Sequence, residues 1–97
     1  MYARVATFQG DPSQVDQTIE FVRGQRDAAP PPGLEDAKGW LMLIDRETGK
    51  GLGITLFDSE DAMRRGDEAL NAMNPPGAVG RRTAVEFYEV PVQEMAS

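Results

Sequence analysis

Residues 1–8 alternate in the strand manner, with Tyr2, Arg4, Ala6 and Phe8 on one face and Ala3, Val5 and Thr7 on the other, before Gln9 and Gly10 break the run. Asp11 then stands as a helix cap, with Pro12 at the first helical position and Gln14 placed to reach back to the cap. Val15, Ile19 and Val22 recur at helical spacing among Asp16, Gln17, Glu20 and Arg23, so the pattern predicts a helix from Pro12 to about Gln25. Residues 26–38 hold three consecutive prolines and a glycine, which neither a helix nor a central strand accepts. This stretch reads as a stiff connector or, on the sharper reading, a lid beside a site.

Two apolar runs follow, Gly39–Asp45 and Leu52–Phe57, joined through Arg46-Glu47-Thr48-Gly49-Lys50, where Gly49 supplies the positive φ of a hairpin. Asp58 is the expected cap of a second helix, with Glu60 and Asp61 in its first turn and Ala62, Met63, Gly66, Ala69, Leu70 and Met73 along one face. Pro75, Pro76 and Gly77 end it, and Thr83–Val90 alternates again as a last strand closed by Pro91.

The order β-α-β-β-α-β over one domain, residues 1–97, predicts an α+β, ferredoxin-like fold. Right-handed crossovers put strands 1 and 3 at the centre of a four-stranded antiparallel sheet with both helices on one face. Strand 2 is apolar on both sides, with Trp40, Met42 and Ile44 on one and Leu41 and Leu43 on the other. A solvated sheet face would be polar, so two copies are expected to pack sheet to sheet as a dimeric α/β barrel.

Composition narrows the chemistry. Sixteen acidic and ten basic residues give a net charge of -6, the wrong sign for neutralising nucleic-acid phosphates or docking on an anionic membrane. No cysteine is present, which excludes disulfides, thiolate nucleophiles and zinc–thiolate sites, and no histidine, which removes the commonest general base and metal ligand. No cofactor and no metal are therefore expected. The start, MYARVATF, lacks the apolar run of a secretory signal and no later stretch is long enough to span a bilayer, so a cytoplasmic location is expected.

The segments VATFQGDPSQVDQTIEFV and KGWLMLIDRETGKGLGITLFDSEDAMRRGDEAL resemble the dimeric α/β-barrel superfamily, which includes antibiotic-biosynthesis monooxygenase-like domains. The resemblance implies the fold and the dimer, and a range of activities from cofactor-independent oxidation of polyketide-like aromatics to plain ligand binding. Haem-degrading relatives use an Asn in the first strand, a Trp in the third and a His, none of which this chain has.

A site for a phenolic or other aromatic molecule needs a dry cavity, an aromatic wall and a cation or donor. The resemblance implies Tyr, Trp, Asn and Arg groups around such a molecule, which makes Trp40, Tyr88, Arg4 and Asn71, with Met42 as an adaptable apolar wall, the candidate ligand-binding residues and Tyr2 a further aromatic. Each also has a plainer reading. Trp40 and the methionines Met42, Met63 and Met73 serve as packing, Arg4 and Glu86 as a cross-strand ion pair, and Tyr88 beside Glu86 as a structural hydrogen bond. Gly51 and Gly53 leave one face of the third strand bare, which marks a bulge, a close approach or room for a ligand. The acidic residues Glu60, Asp61, Asp67 and Glu68 read as a solvated helix face. Two functions follow: a homodimer that binds a small apolar or aromatic molecule, with cofactor-independent monooxygenation as its catalytic form, or a non-catalytic dimeric ligand-binding or interaction module.

Overall fold

The structure, a computed structural model, describes residues 1–25, 33–72 and 80–94. Strand β1 (Tyr2–Gln9) leads through a 3₁₀ turn (Pro12–Gln14) into helix α1 (Val15–Gln25). Strands β2 (Ala37–Ile44) and β3 (Lys50–Phe57), helix α2 (Glu60–Ala72) and strand β4 (Arg81–Glu89) complete the order. The four strands lie β2-β3-β1-β4 with every neighbouring pair antiparallel, so β1 and β3 are central as their crossovers require. Met73, Pro75, Pro76 and Gly77, and the prolines of the first connector, lie outside the described residues. No helix among the described residues is long and apolar enough to cross a membrane.

Local chemistry sets the boundaries. Asp11 caps the first helical segment, its Oδ1 accepting from the Ser13 amide at 2.9 Å and the Ser13 hydroxyl at 2.7 Å. Those two bonds hold its carboxyl below the usual range, the hydroxyl contributing most. The first turn is 3₁₀, so the α-helix proper begins at Val15 rather than Pro12. Asp58 does not cap α2: Ser59 does, its Oγ accepting from the Ala62 amide at 3.1 Å, while Asp58 pairs with Lys38 at 3.3 Å. Both residue types suit a cap, and the choice between adjacent positions is made by where β3 ends.

The hairpin starts β3 earlier than the apolar run suggests. Asp45 Oδ1 accepts from the Glu47 amide, the Asp45 carbonyl from the Gly49 amide, and Gly49 has φ of 78°. A side chain at Gly49 would also run into the backbone at Gly10, whose amide donates to the Gly49 carbonyl at 3.0 Å. The β1–α1 turn and the hairpin are thereby clamped together.

Register divides the sheet into two faces. Tyr2, Arg4, Ala6 and Phe8 stand opposite Phe57, Thr55, Gly53 and Gly51 on the face beneath the helices. Phe57 is fully buried there against Ala62 and Met63 of α2, with Tyr2, Leu34 and Ala37 around it. Gly66 lets α2 approach this ring, since a Cβ at that position would lie 2.6 Å from Phe57 Cε1. The other face carries Val5, Leu41, Leu43, Leu52, Ile54, Leu56 and Tyr88. Its apolar side chains remain open, Leu41 at 39% and Leu43 at 43% exposure.

Candidate functional site

Alternation along β2 turns Trp40, Met42 and Ile44 toward α1, whose Ile19 and Val22 are one helical turn apart on the facing stripe. With the stem of Arg23 these residues line an apolar cleft of about 250 Å³. Trp40 is 47% exposed and forms a wall rather than a core plug. The Arg23 head lies outward against Glu20 at 3.3 Å, so what it gives the cleft is its methylene stem. In the middle of the sheet on this same face, the position a Gly53 side chain would fill has nothing within 4 Å. The bare face of β3 is thus open space at Gly53, while Gly51 sits against Ile44.

Arg4 does not meet Glu86. Glu86 is paired with Val5 and therefore faces the other side of the sheet, whereas Arg4 points under α2. Its Nε donates to Asp67 Oδ1 at 2.8 Å and its Nη2 to Asn71 Oδ1 at 3.2 Å. Arg82 Nη1 donates to the same Asn71 oxygen at 2.6 Å. Asp67 and Asn71 are one turn apart on α2, so a single stripe of the helix holds both ends of the Arg4 fork. Arg4 is only 4% exposed, and a buried guanidinium needs such partners.

Tyr88 and Glu86 share the open sheet face, as their spacing predicts, and the Tyr88 hydroxyl donates to Glu86 Oε2 at 2.8 Å. This bond to a carboxylate raises the phenol above its ordinary pKa, with some desolvation in the same direction. The five candidate residues thus fall into three places: Trp40 and Met42 at the cleft, Arg4 and Asn71 under α2, and Tyr88 on the opposite face. Among the described residues no three acidic side chains converge as a metal ion would require.

Ile19, Val22 and Ile44 carried a sequence signal, the helical stripe and the strand alternation, but that they face one another follows only from the crossover. Asp67 and Arg82 were hidden more deeply. Asp67 sits among other acids of α2, and Arg82 precedes the regular part of the last strand.

No protein-family model matches the chain. No curated protein sequence matches it either. Solved structures do match in shape. A protein from Chloroflexus aurantiacus J-10-fl, provisionally named an antibiotic biosynthesis monooxygenase, superposes with a TM-score of 0.53 at 13% identity, over 98% of this chain and 96% of its own. Rv0793 from Mycobacterium tuberculosis gives 0.50 at 10% identity, over 98% of each chain. A protein from Deinococcus radiodurans with the same provisional name gives 0.48 at 14% identity, over 100% of this chain and 97% of its own. At such identities a likeness in shape speaks for architecture and leaves activity open. The chain has the ferredoxin-like α+β fold found in antibiotic biosynthesis monooxygenase-like proteins.

Proposed function

We propose that the chain works as a homodimer, paired sheet to sheet, that holds a small apolar or aromatic molecule in the cleft between α1 and β2. The observation that carries the binding reading is Trp40, a large aromatic left 47% exposed as the wall of an apolar cleft of about 250 Å³. That volume lies just below the usual ligand-pocket range of about 300–1,000 Å³, which suits a small molecule of two or three rings. The pairing is supported by the open apolar face, where Leu41, Leu43 and Tyr88 stay exposed at 39%, 43% and 50%. A contiguous apolar surface of this kind is costly in water and is commonly covered by a partner.

Binding is tested with N-phenyl-1-naphthylamine, a neutral dye whose emission rises in apolar surroundings. Saturable enhancement is expected, and Val22→Phe, which puts a ring into the cleft, should abolish it. Enhancement that is absent, or that survives unchanged in Val22→Phe, overturns the cleft as the binding place. Pairing is tested by sedimentation equilibrium: twice the chain mass is expected at micromolar concentration, shifting toward one chain in Leu43→Lys. A single-chain mass for the unmodified protein sinks the dimer.

A catalytic reading, cofactor-free oxygenation of an aromatic, is favoured by one feature. A buried cation, Arg4, shares the helix-facing side of the sheet with Trp40, and a cation near a phenol favours its phenolate. Oxygen uptake with anthrone, measured against the protein-free rate, decides it. A rate no faster than that background leaves a binding module.

A further inference from the structure

We infer that pairing through the open sheet face answers to pH, because Glu86 must shed its charge as a second copy covers it. This deepens the dimer reading and rests on it. The middle row of that face runs Glu86, Val5, Ile54 and Leu41, and in the two rows flanking it the one ionisable side chain is Tyr88. A second copy is the occupant that suits this surface. Four strands of eight or nine residues give a face of about 500 Å², so two copies cover about 1,000 Å² in total, which reaches the lower bound of specific interfaces. The face is also close to neutral in a chain of net charge -6: at its hairpin end Lys50 and Arg81 flank Gln9, with Asp45 next to Lys50, so two cations balance Glu86 and Asp45. Two copies can meet here without the repulsion that their net charges cause elsewhere.

Little within its own chain would support the Glu86 charge once water leaves. Val5 stands opposite, Ala3 and Thr7 are its diagonal neighbours on β1, and β4 itself offers Ala84 and Tyr88. The Tyr88 hydroxyl satisfies Oε2 alone, and Oε1 takes no hydrogen bond from a described residue. Lys50 and Arg81 stand in the row of Gln9, four residues along β1 from Val5 and so about 14 Å away. Packed sheets lie nearly aligned or nearly at right angles. With the two middle rows over one another, a two-fold axis along the strands lays Glu86 on Leu41 of the second copy, and one across the strands lays it on its own counterpart. A right-angle crossing lays it on the flanking rows, which hold no cation. Each arrangement takes water from the carboxylate and supplies no positive charge, and one adds a like charge. The covered carboxyl therefore favours its neutral form, the dimer binds more protons than two separate chains, and pairing strengthens as pH falls.

The test is sedimentation equilibrium of the full chain at about pH 7.5 and about pH 5.5, in about 0.15 M salt so that distant charges are screened. The dimer dissociation constant is expected to be about tenfold or more lower at the acid pH, since each dimer covers two Glu86 carboxyls. Glu86→Gln should pair about tenfold more tightly than the unmodified chain at the higher pH and lose most of the pH dependence. Glu89→Gln, which removes the same charge from the helix-facing side of the same strand, should pair as the unmodified chain does. Both residues are exposed, and a thermal melt confirms that each variant folds. A dissociation constant that stays constant or rises as pH falls overturns the inference while leaving the dimer intact. A pH effect that Glu86→Gln keeps, or that Glu89→Gln loses, overturns its assignment to Glu86. A single-chain mass under every condition overturns the dimer reading itself.

Discussion

Alanine in place of Gly66 should loosen the fold, whereas alanine in place of Gly24 should tighten it. Both glycines are helical, and in a helix interior alanine is better than glycine by about 0.5–1 kcal/mol. At Gly24, one residue before the end of α1, the new methyl would meet nothing within 4 Å, so a gain toward the lower end of that range is expected. At Gly66 of α2 it would come to 2.6 Å from Phe57 Cε1 and 3.3 Å from Leu34 Cδ2, against an optimum of about 3.5–4.0 Å between carbons. The ring cannot step aside, because Phe57 has no exposed surface and is packed by Ala62 and Met63. Overpacking of this kind costs about 1–3 kcal/mol, which leaves Gly66→Ala about 1 kcal/mol less stable after the helical gain is credited. Thermal melts followed by far-ultraviolet circular dichroism, at one fixed protein concentration, should separate the two variants. For a chain of this size 1 kcal/mol corresponds to about 4–8 °C. In a Phe57→Leu background the Gly66→Ala penalty should shrink, because the pair is coupled through direct contact. If Gly66→Ala stabilises as much as Gly24→Ala, the close approach of α2 to Phe57 is wrong.

Three further outcomes follow from the same geometry. Asp67→Ala should destabilise by about 3 kcal/mol in urea unfolding because it strands a buried cation, and Arg4→Leu by less, since Asp67 at the rim can be hydrated; the reverse order would contradict the burial of Arg4. Ser59→Ala should cost about 1 kcal/mol as a lost cap, against about 0.5 kcal/mol or less for Asp58→Ala, and equal losses would argue against Ser59 as the cap. In an ultraviolet titration Tyr88 should ionise above its ordinary value of about 10, and Glu86→Gln should bring it down. Because the folded phenol holds its proton longer than the unfolded one, this bond's contribution is present below about pH 10 and is lost as pH rises toward the folded value. An unchanged titration in Glu86→Gln would remove the carboxylate as the cause.

The strands and their order were legible because each strand declares itself by alternation or an apolar run within a few residues. The hairpin was legible from Gly49, where only one backbone conformation serves. Local chemistry was less decisive where neighbours were equivalent: Asp58 and Ser59 both make good caps, and the end of β3 decides between them. Long-range pairing of side chains was not legible. Arg4 meets a residue 63 positions away, and nothing in the strand's own alternation separates Asp67 above it from Glu86 across the sheet until the register is known. Trp40 is the intermediate case. Its face was evident from Met42 and Ile44, but its exposure depends on how closely α1 approaches.

The register shift between Thr7 and Phe8 bears on the arginines in a way their identities do not. Ala84 stands opposite Thr7 and Arg82 opposite Phe8, so Thr83 is the supernumerary residue, and its hydroxyl donates to the Thr7 carbonyl at 3.3 Å. Were β4 to pair without this extra residue bulging out, Arg82 would slide to a position opposite Gln9 and its side chain would leave the helix side for the apolar one. Arg81 now holds that place opposite Gln9, so a length, one residue in β4, decides which of two adjacent arginines faces the helices. A variant with its bulge ironed out would exchange the two arginines between the faces and carry Arg82 away from Asn71, leaving the charge of each face as it was but the clasp over α2 undone.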